Sequence, residues 1–94
     1  MLQFMNKEKI LNSKEFFALR KQFGDFVRKR RCQLKLSQEE LGFRCGLHRT
    51  YIGSIERAEA NLTLDNIVIL AITLRCEISD LVPCLENIRK SLDI

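Results

Sequence analysis

The stretch from Ser37 to Arg57 constrains this chain more than any other, because it writes two helix starts around one helix stop. Ser37-Gln38-Glu39-Glu40 is a capping box. The Ser37 hydroxyl can accept from the amide of residue 40, while the Glu40 carboxylate reaches back to the amide of residue 37. The helix that it opens is expected over Gln38 to Cys45, with Leu41 and Cys45 one turn apart on the inner face. Gly46 follows where a left-handed residue is wanted, since glycine has no Cβ to clash there. A second short helix is then expected from about His48 to Arg57.

The remainder of the chain is also helical in pattern. Phe16, Leu19, Phe23, Phe26, Val27 and Leu34 recur at helical steps after Ser13, a suitable cap, and the opposite face carries Arg20, Lys21, Arg28, Lys29 and Arg31. Gly24 inside this run lowers helix propensity, so two helices or a bent one are expected. Thr63 can cap a helix over Leu64 to about Leu74. Ser79 can open a short segment from Asp80 to Val82, and Pro83 suits the first turn of a last helix with Leu85, Ile88 and Leu92 as its apolar stripe. Residues 1–12 show no clean period and read as an accessory arm. The expected fold is all-α, a compact bundle of about five short helices. Its parts are a partly helical extension over 1–19, a main domain over 20–82, and a carboxy-terminal helix over 83–94 available for dimer contact.

Two short helices joined through a tight glycine turn are the helix-turn-helix plan, in which the second helix enters the major groove of DNA. Rotating by about 100° per residue from His48 places Ile52 and Ile55 together on the buried side. Arg57, Thr50 and Ser54 fall opposite, Arg49 and Gly53 on one shoulder, and Tyr51 on the other. Arginine can fork onto guanine N7 and O6, and threonine can offer a base edge its hydroxyl or thymine its methyl. That face of the helix carries no acid to repel phosphate. Charge placement agrees: residues 1–57 hold 13 Lys/Arg against 6 Asp/Glu, and residues 58–94 hold 3 against 6. An anionic partner is therefore expected on one side of the molecule.

Other classes find little support. The 94-residue chain has one domain's length and no unbroken apolar run that would span a bilayer. Its amino terminus is too charged for a secretory signal, so a cytoplasmic protein is expected. Cys32, Cys45, Cys76 and Cys84 form no CxxC pair, which leaves no metal site, and the cysteines read as reduced core residues. His48, the single histidine, sits at a helix start and is expected to cap or touch backbone. No nucleophile–histidine–acid set, phosphate-cradling glycine loop or pair of catalytic carboxylates is evident. Neither enzymatic activity nor a cofactor is expected.

The segments SQEELGFRCGLHRTYIGSIER and NLTLDNIVILAITLRCEISDLV resemble the Cro/cI, or XRE, type of helix-turn-helix regulator with a lambda-repressor-like fold. More narrowly, RKRRCQLKLSQEELGFRCGLHRTYIGSIERAEANLTL looks like the controller proteins of restriction–modification systems. The likeness spans about residues 20–82. It implies a homodimer that binds double-stranded DNA at a palindromic operator. Arg49, Thr50 and Ser54 then occupy base-reading positions, and Gln38, Tyr51, Arg57, Asn61 and Thr63 meet the sugar–phosphate backbone. Basic Arg28 and Lys29 on the preceding helix are expected to join that backbone footprint. The resemblance also implies a structural pair between Arg31 and Glu56 that fixes the reading helix.

Four positions depart from the family pattern. Lys35 and Ala58 stand where turn glycines are common, Gly42 replaces an alanine, and Ala60 replaces a basic side chain before the fourth helix. A phage-type repressor remains an alternative to the controller role. So does an antitoxin or adaptor whose main partner is another protein, which an exposed apolar arm of Leu2, Phe4, Ile10 and Leu11 would favour.

Overall fold

The computed structural model describes residues 6–82 and 89–90 and is helical throughout, with no strand among those residues. Its order is α1 (Lys7–Leu11), α2 (Lys14–Gln33), α3 (Gln38–Cys45), α4 (Arg49–Glu56), α5 (Leu64–Leu74) and α6 (Ile78–Leu81). Two features differ from the expected bundle of about five short helices. The arm contains a helix of its own, α1, which Asn6 caps by accepting the Lys9 N–H at 2.7 Å. A five-residue helix is too short to display a period. In addition, α2 is one unbroken helix of 20 residues.

Gly24 explains that second difference. It lies where α2 crosses α4 so closely that an added Cβ would overlap the Ile55 carbonyl oxygen and sit 3.1 Å from the Glu56 Cα. The glycine makes room for a neighbouring backbone and does not interrupt its own helix. Around this crossing Phe23, Val27, Leu41, Ile52, Ile55, Leu70, Ala71, Leu74 and Leu81 are buried as one core. Elements α2 to α6 all contribute, so the two short helices α3 and α4 are held by tertiary packing; alone they are too short to persist in water.

Helix starts are fixed by side chains and helix ends by backbone geometry. Ser13, Ser37 and Thr63 cap α2, α3 and α5 through their hydroxyls, and His48 caps α4 through Nδ1. For α6 the Ser79 start is corrected: the helix begins at Ile78, and Asp80 accepts the Glu77 N–H at 2.9 Å. Four helices end in one way. Lys35, Gly46, Ala58 and Arg75 all have φ between 56° and 71°. The following N–H in each case bonds five residues back: Leu36 to Arg31, Leu47 to Gly42, Glu59 to Ser54 and Cys76 to Ala71. Lys35 and Ala58 therefore keep the left-handed turn without the glycine that usually relieves it. Of the carboxy-terminal helix expected over 83–94, Arg89 and Lys90 are described and helical; Pro83, Leu85, Ile88 and Leu92 lie outside the described residues, as do Leu2 and Phe4 of the arm.

Candidate nucleic-acid interface

The connection between α3 and α4 is tighter than its glycine turn alone requires. A Cβ on Gly42 would overlap the Leu47 carbonyl oxygen and stand 3.3 Å from the Arg49 amide, so α3 meets the start of α4 backbone to backbone. Gly46 has φ +71° and closes α3. His48 then opens α4, its Nδ1 accepting the Thr50 N–H at 3.0 Å. Because Nδ1 is the acceptor, the neutral ring carries its hydrogen on Nε2, a donor on an exposed residue at the head of the helix.

The rotational reading of α4 matches its burial. Ile52 and Ile55 are buried, Arg49, Thr50 and Arg57 are exposed, and Ser54 is half-buried. The Ser54 hydroxyl donates to the Tyr51 carbonyl at 2.7 Å, so it is engaged along its own helix. Tyr51 donates its hydroxyl to the Asn61 carbonyl at 2.8 Å and accepts from the Asn66 side-chain amide at 3.3 Å. This fixes the loop before α5 against α4. Asn66 gave no sign of such a role in the sequence, since it reads as one polar residue in an apolar helix. Thr63 accepts the Asn66 N–H at 3.1 Å, and both Asn61 and Thr63 are exposed beside this start. Arg28 and Lys29 are exposed on α2.

Behind α4 the structure brings Arg31 and Glu56 together as a fork: Nε to Oε2 at 2.7 Å and Nη2 to Oε1 at 2.9 Å. The third guanidinium nitrogen, Nη1, donates to the Leu36 carbonyl at 2.8 Å, and Gln38 donates its amide to Glu56 Oε1 at 3.2 Å. The two side chains are 12% and 5% exposed. The hydrogen bond to Glu56 raises the already high pKa of Arg31 against the opposing effect of burial. One ion pair thus ties the end of α2, the turn after it, the start of α3 and the end of α4. Gly53 lies beneath this hub: a Cβ there would stand 2.9 Å from Arg57 Nη1 and 3.5 Å from Gln38 Oε1. Its bare backbone leaves space for both side chains.

The outer face of α4 bears no acid of its own, but the fold supplies two. Glu39 of α3 accepts from Arg49 Nη1 at 3.2 Å, and Glu59 of the following loop accepts from Arg57 Nε at 3.1 Å. A single-helix projection does not show what a neighbouring helix contributes. Among the described residues no group of histidine, cysteine and acidic side chains could hold a metal ion, and no helix is long and apolar enough to cross a membrane.

Comparison with known proteins gives this geometry a family. A helix-turn-helix family profile matches residues 27–81. The chain is 44% identical over 66 residues to control protein C.SmaI of Serratia marcescens, spanning 70% of this chain and 79% of that one. It is 54% identical over 46 residues to control protein C.BamHI of Bacillus amyloliquefaciens, spanning 48% and 57%. The crystal structure of the restriction–modification controller protein C.AhdI from Aeromonas hydrophila superposes with a TM-score of 0.65 at 42% identity, covering 68% of this chain and 97% of that one. A shared profile, a shared fold and an aligned α3–turn–α4 unit agree: the chain belongs to the XRE-type helix-turn-helix family and is similar to its restriction–modification control proteins.

Proposed function

We propose that this chain is a sequence-specific, double-stranded-DNA-binding transcription regulator that works as a homodimer on a palindromic operator, in the manner of a restriction–modification controller. The observation that carries this reading is the outward side of α4. Arg49 and Thr50 are exposed there, while Ile52 and Ile55 are buried and Glu56 is locked to Arg31 behind them. A helix held so firmly from behind can present its outer side chains to base edges in a fixed register. Gln38, Arg57, Asn61 and Thr63 flank that face and are assigned to phosphate, together with Tyr51 at its edge and Arg28 and Lys29 on α2.

The dimer reading rests on a second surface. Leu64 and Ile72 are each 70% exposed on α5, and Ile69 and Ile78 add to the exposed apolar area there and on α6. A protein with a small core leaves such a surface open at a cost, and a second copy covers it with the same residues. Two reading helices about 34 Å apart would then face successive major grooves.

The test is a fluorescence-anisotropy titration on a duplex selected from a random pool and on a duplex of scrambled sequence. Arg49→Ala is expected to lose about 1–3 kcal/mol on the selected site and to spare most of the scrambled-duplex binding. Equal losses on both duplexes would remove Arg49 from base reading.

A further inference from the structure

We propose that Glu39 is a positioning residue for base recognition, holding the Arg49 guanidinium in the orientation that reads a base edge. This rests on the DNA-reading role of α4 given above. The pair spans two helices. Glu39 is the second residue of α3 and Arg49 the first of α4, joined from Arg49 Nη1 to Glu39 Oε2 at 3.2 Å. Neither backbone has freedom to drift. The capping box of Ser37 and Glu40 fixes one helix start, His48 fixes the other, and Gly42 presses the two together. The carboxylate therefore works from a rigid base.

The pair borders a hollow of about 320 Å³ lined also by Phe43, Leu47 and His48. Phe43 is 88% exposed there, so apolar surface flanks the ions. In the free protein the two side chains remain 66% and 74% exposed, and such a pair adds little to stability. Its effect falls on DNA. Arginine carries five N–H donors in a planar fork, so one hydrogen of Nη1 can stay on Glu39 while the fork engages N7 and O6 of guanine. Without Glu39 the long side chain would swing to whichever phosphate is nearest, a contact that carries no sequence information. Glu39 itself repels phosphates on every sequence. It weakens binding everywhere and is offset only where Arg49 meets its base, and that difference is specificity.

A double-mutant cycle on the full chain tests this, with the selected and scrambled duplexes as probes. Glu39→Gln is expected to tighten scrambled-duplex binding about threefold and to lower the selected-to-scrambled affinity ratio about tenfold. In an Arg49→Ala background the same change should leave the ratio within about twofold. Glu39 is exposed and Gln keeps its shape, so circular dichroism should show a folded protein. An unchanged ratio for Glu39→Gln, or an equal drop in both backgrounds, would overturn the proposal. A wild-type chain with no preference between the duplexes would overturn the base-reading role of α4, and this inference with it.

Discussion

Lys35 has φ 59° at the end of α2, where a β-carbon is crowded by its own carbonyl. Its conformation is held because Leu36, next in the chain, donates to the Arg31 carbonyl and is buried in the core. Lys35→Gly is therefore expected to stabilise the protein by about 0.5–1 kcal/mol, read as a higher midpoint in urea unfolding. The gain is smaller than the full left-handed penalty because glycine also loosens the unfolded chain. Arg31 and Glu56 behave in the opposite sense. Glu56→Ala strands a guanidinium that is 12% exposed and should cost about 3 kcal/mol. Replacing both partners by apolar side chains, Arg31→Met with Glu56→Leu, should recover most of that stability in the same urea measurement. If the pair also orients α4, the double variant will fold well and yet discriminate poorly between the selected and scrambled duplexes.

At the scale of the element, what a residue does locally was legible and what it does across a gap was not. Ser37 and Glu40, Gly46 and Thr63 act within four residues of themselves, and the spacing alone placed α3, its end and the start of α5. The periodicity of Ile52 and Ile55 likewise revealed the buried side of α4. Gly24 misled because a helix-interior glycine looks like a break until the helix crossing it is known. Glu39 and Glu59 escaped notice for a related reason, since each belongs to a different segment from the arginine it meets. Arg75 hides its left-handed turn behind a side chain that rarely adopts one, whereas at Lys35 and Ala58 only the family resemblance marks a turn. The capping box carries a pH signature. The backbone N–H of Ser37, and then its hydroxyl, hold the Glu40 carboxyl below its ordinary value of 4.5. A depressed carboxylate contributes stability that is present above that ordinary value and lost as pH falls through the folded one. Glu40→Gln keeps the box without titrating, so its melting temperature should fall less steeply than that of the wild type as pH drops below 4.5.

In the function proposed above, the whole molecule divides its surface between two tasks. The α4 side exposes Arg49, Thr50 and Arg57, while α5 and α6 leave Leu64, Ile69, Ile72 and Ile78 exposed. Ile72 is the clearest probe of the second. It is 70% exposed and near the end of α5, so Ile72→Asp should leave the monomer folded. Sedimentation equilibrium should show the wild-type chain at twice the monomer mass and the variant near the monomer mass. Binding to the selected duplex should fall with it, because two half-sites are then engaged independently. A wild-type chain that sediments as a monomer at every concentration would remove the paired-helix arrangement and leave single-site reading in place.

Gly24 and Gly42 approach α4 from opposite ends, one beneath its last turn and the other before its first. Main chain touches main chain at both points, with no pliable side chain between them to absorb a shift. The rod cannot roll or slide without dislodging its supports, so the groups that project from it can be exchanged while its seating stays the same. A saturation library scored for folding alone would accordingly be unforgiving at these two small residues and permissive at Arg49 and Thr50, the reverse of what their sizes suggest.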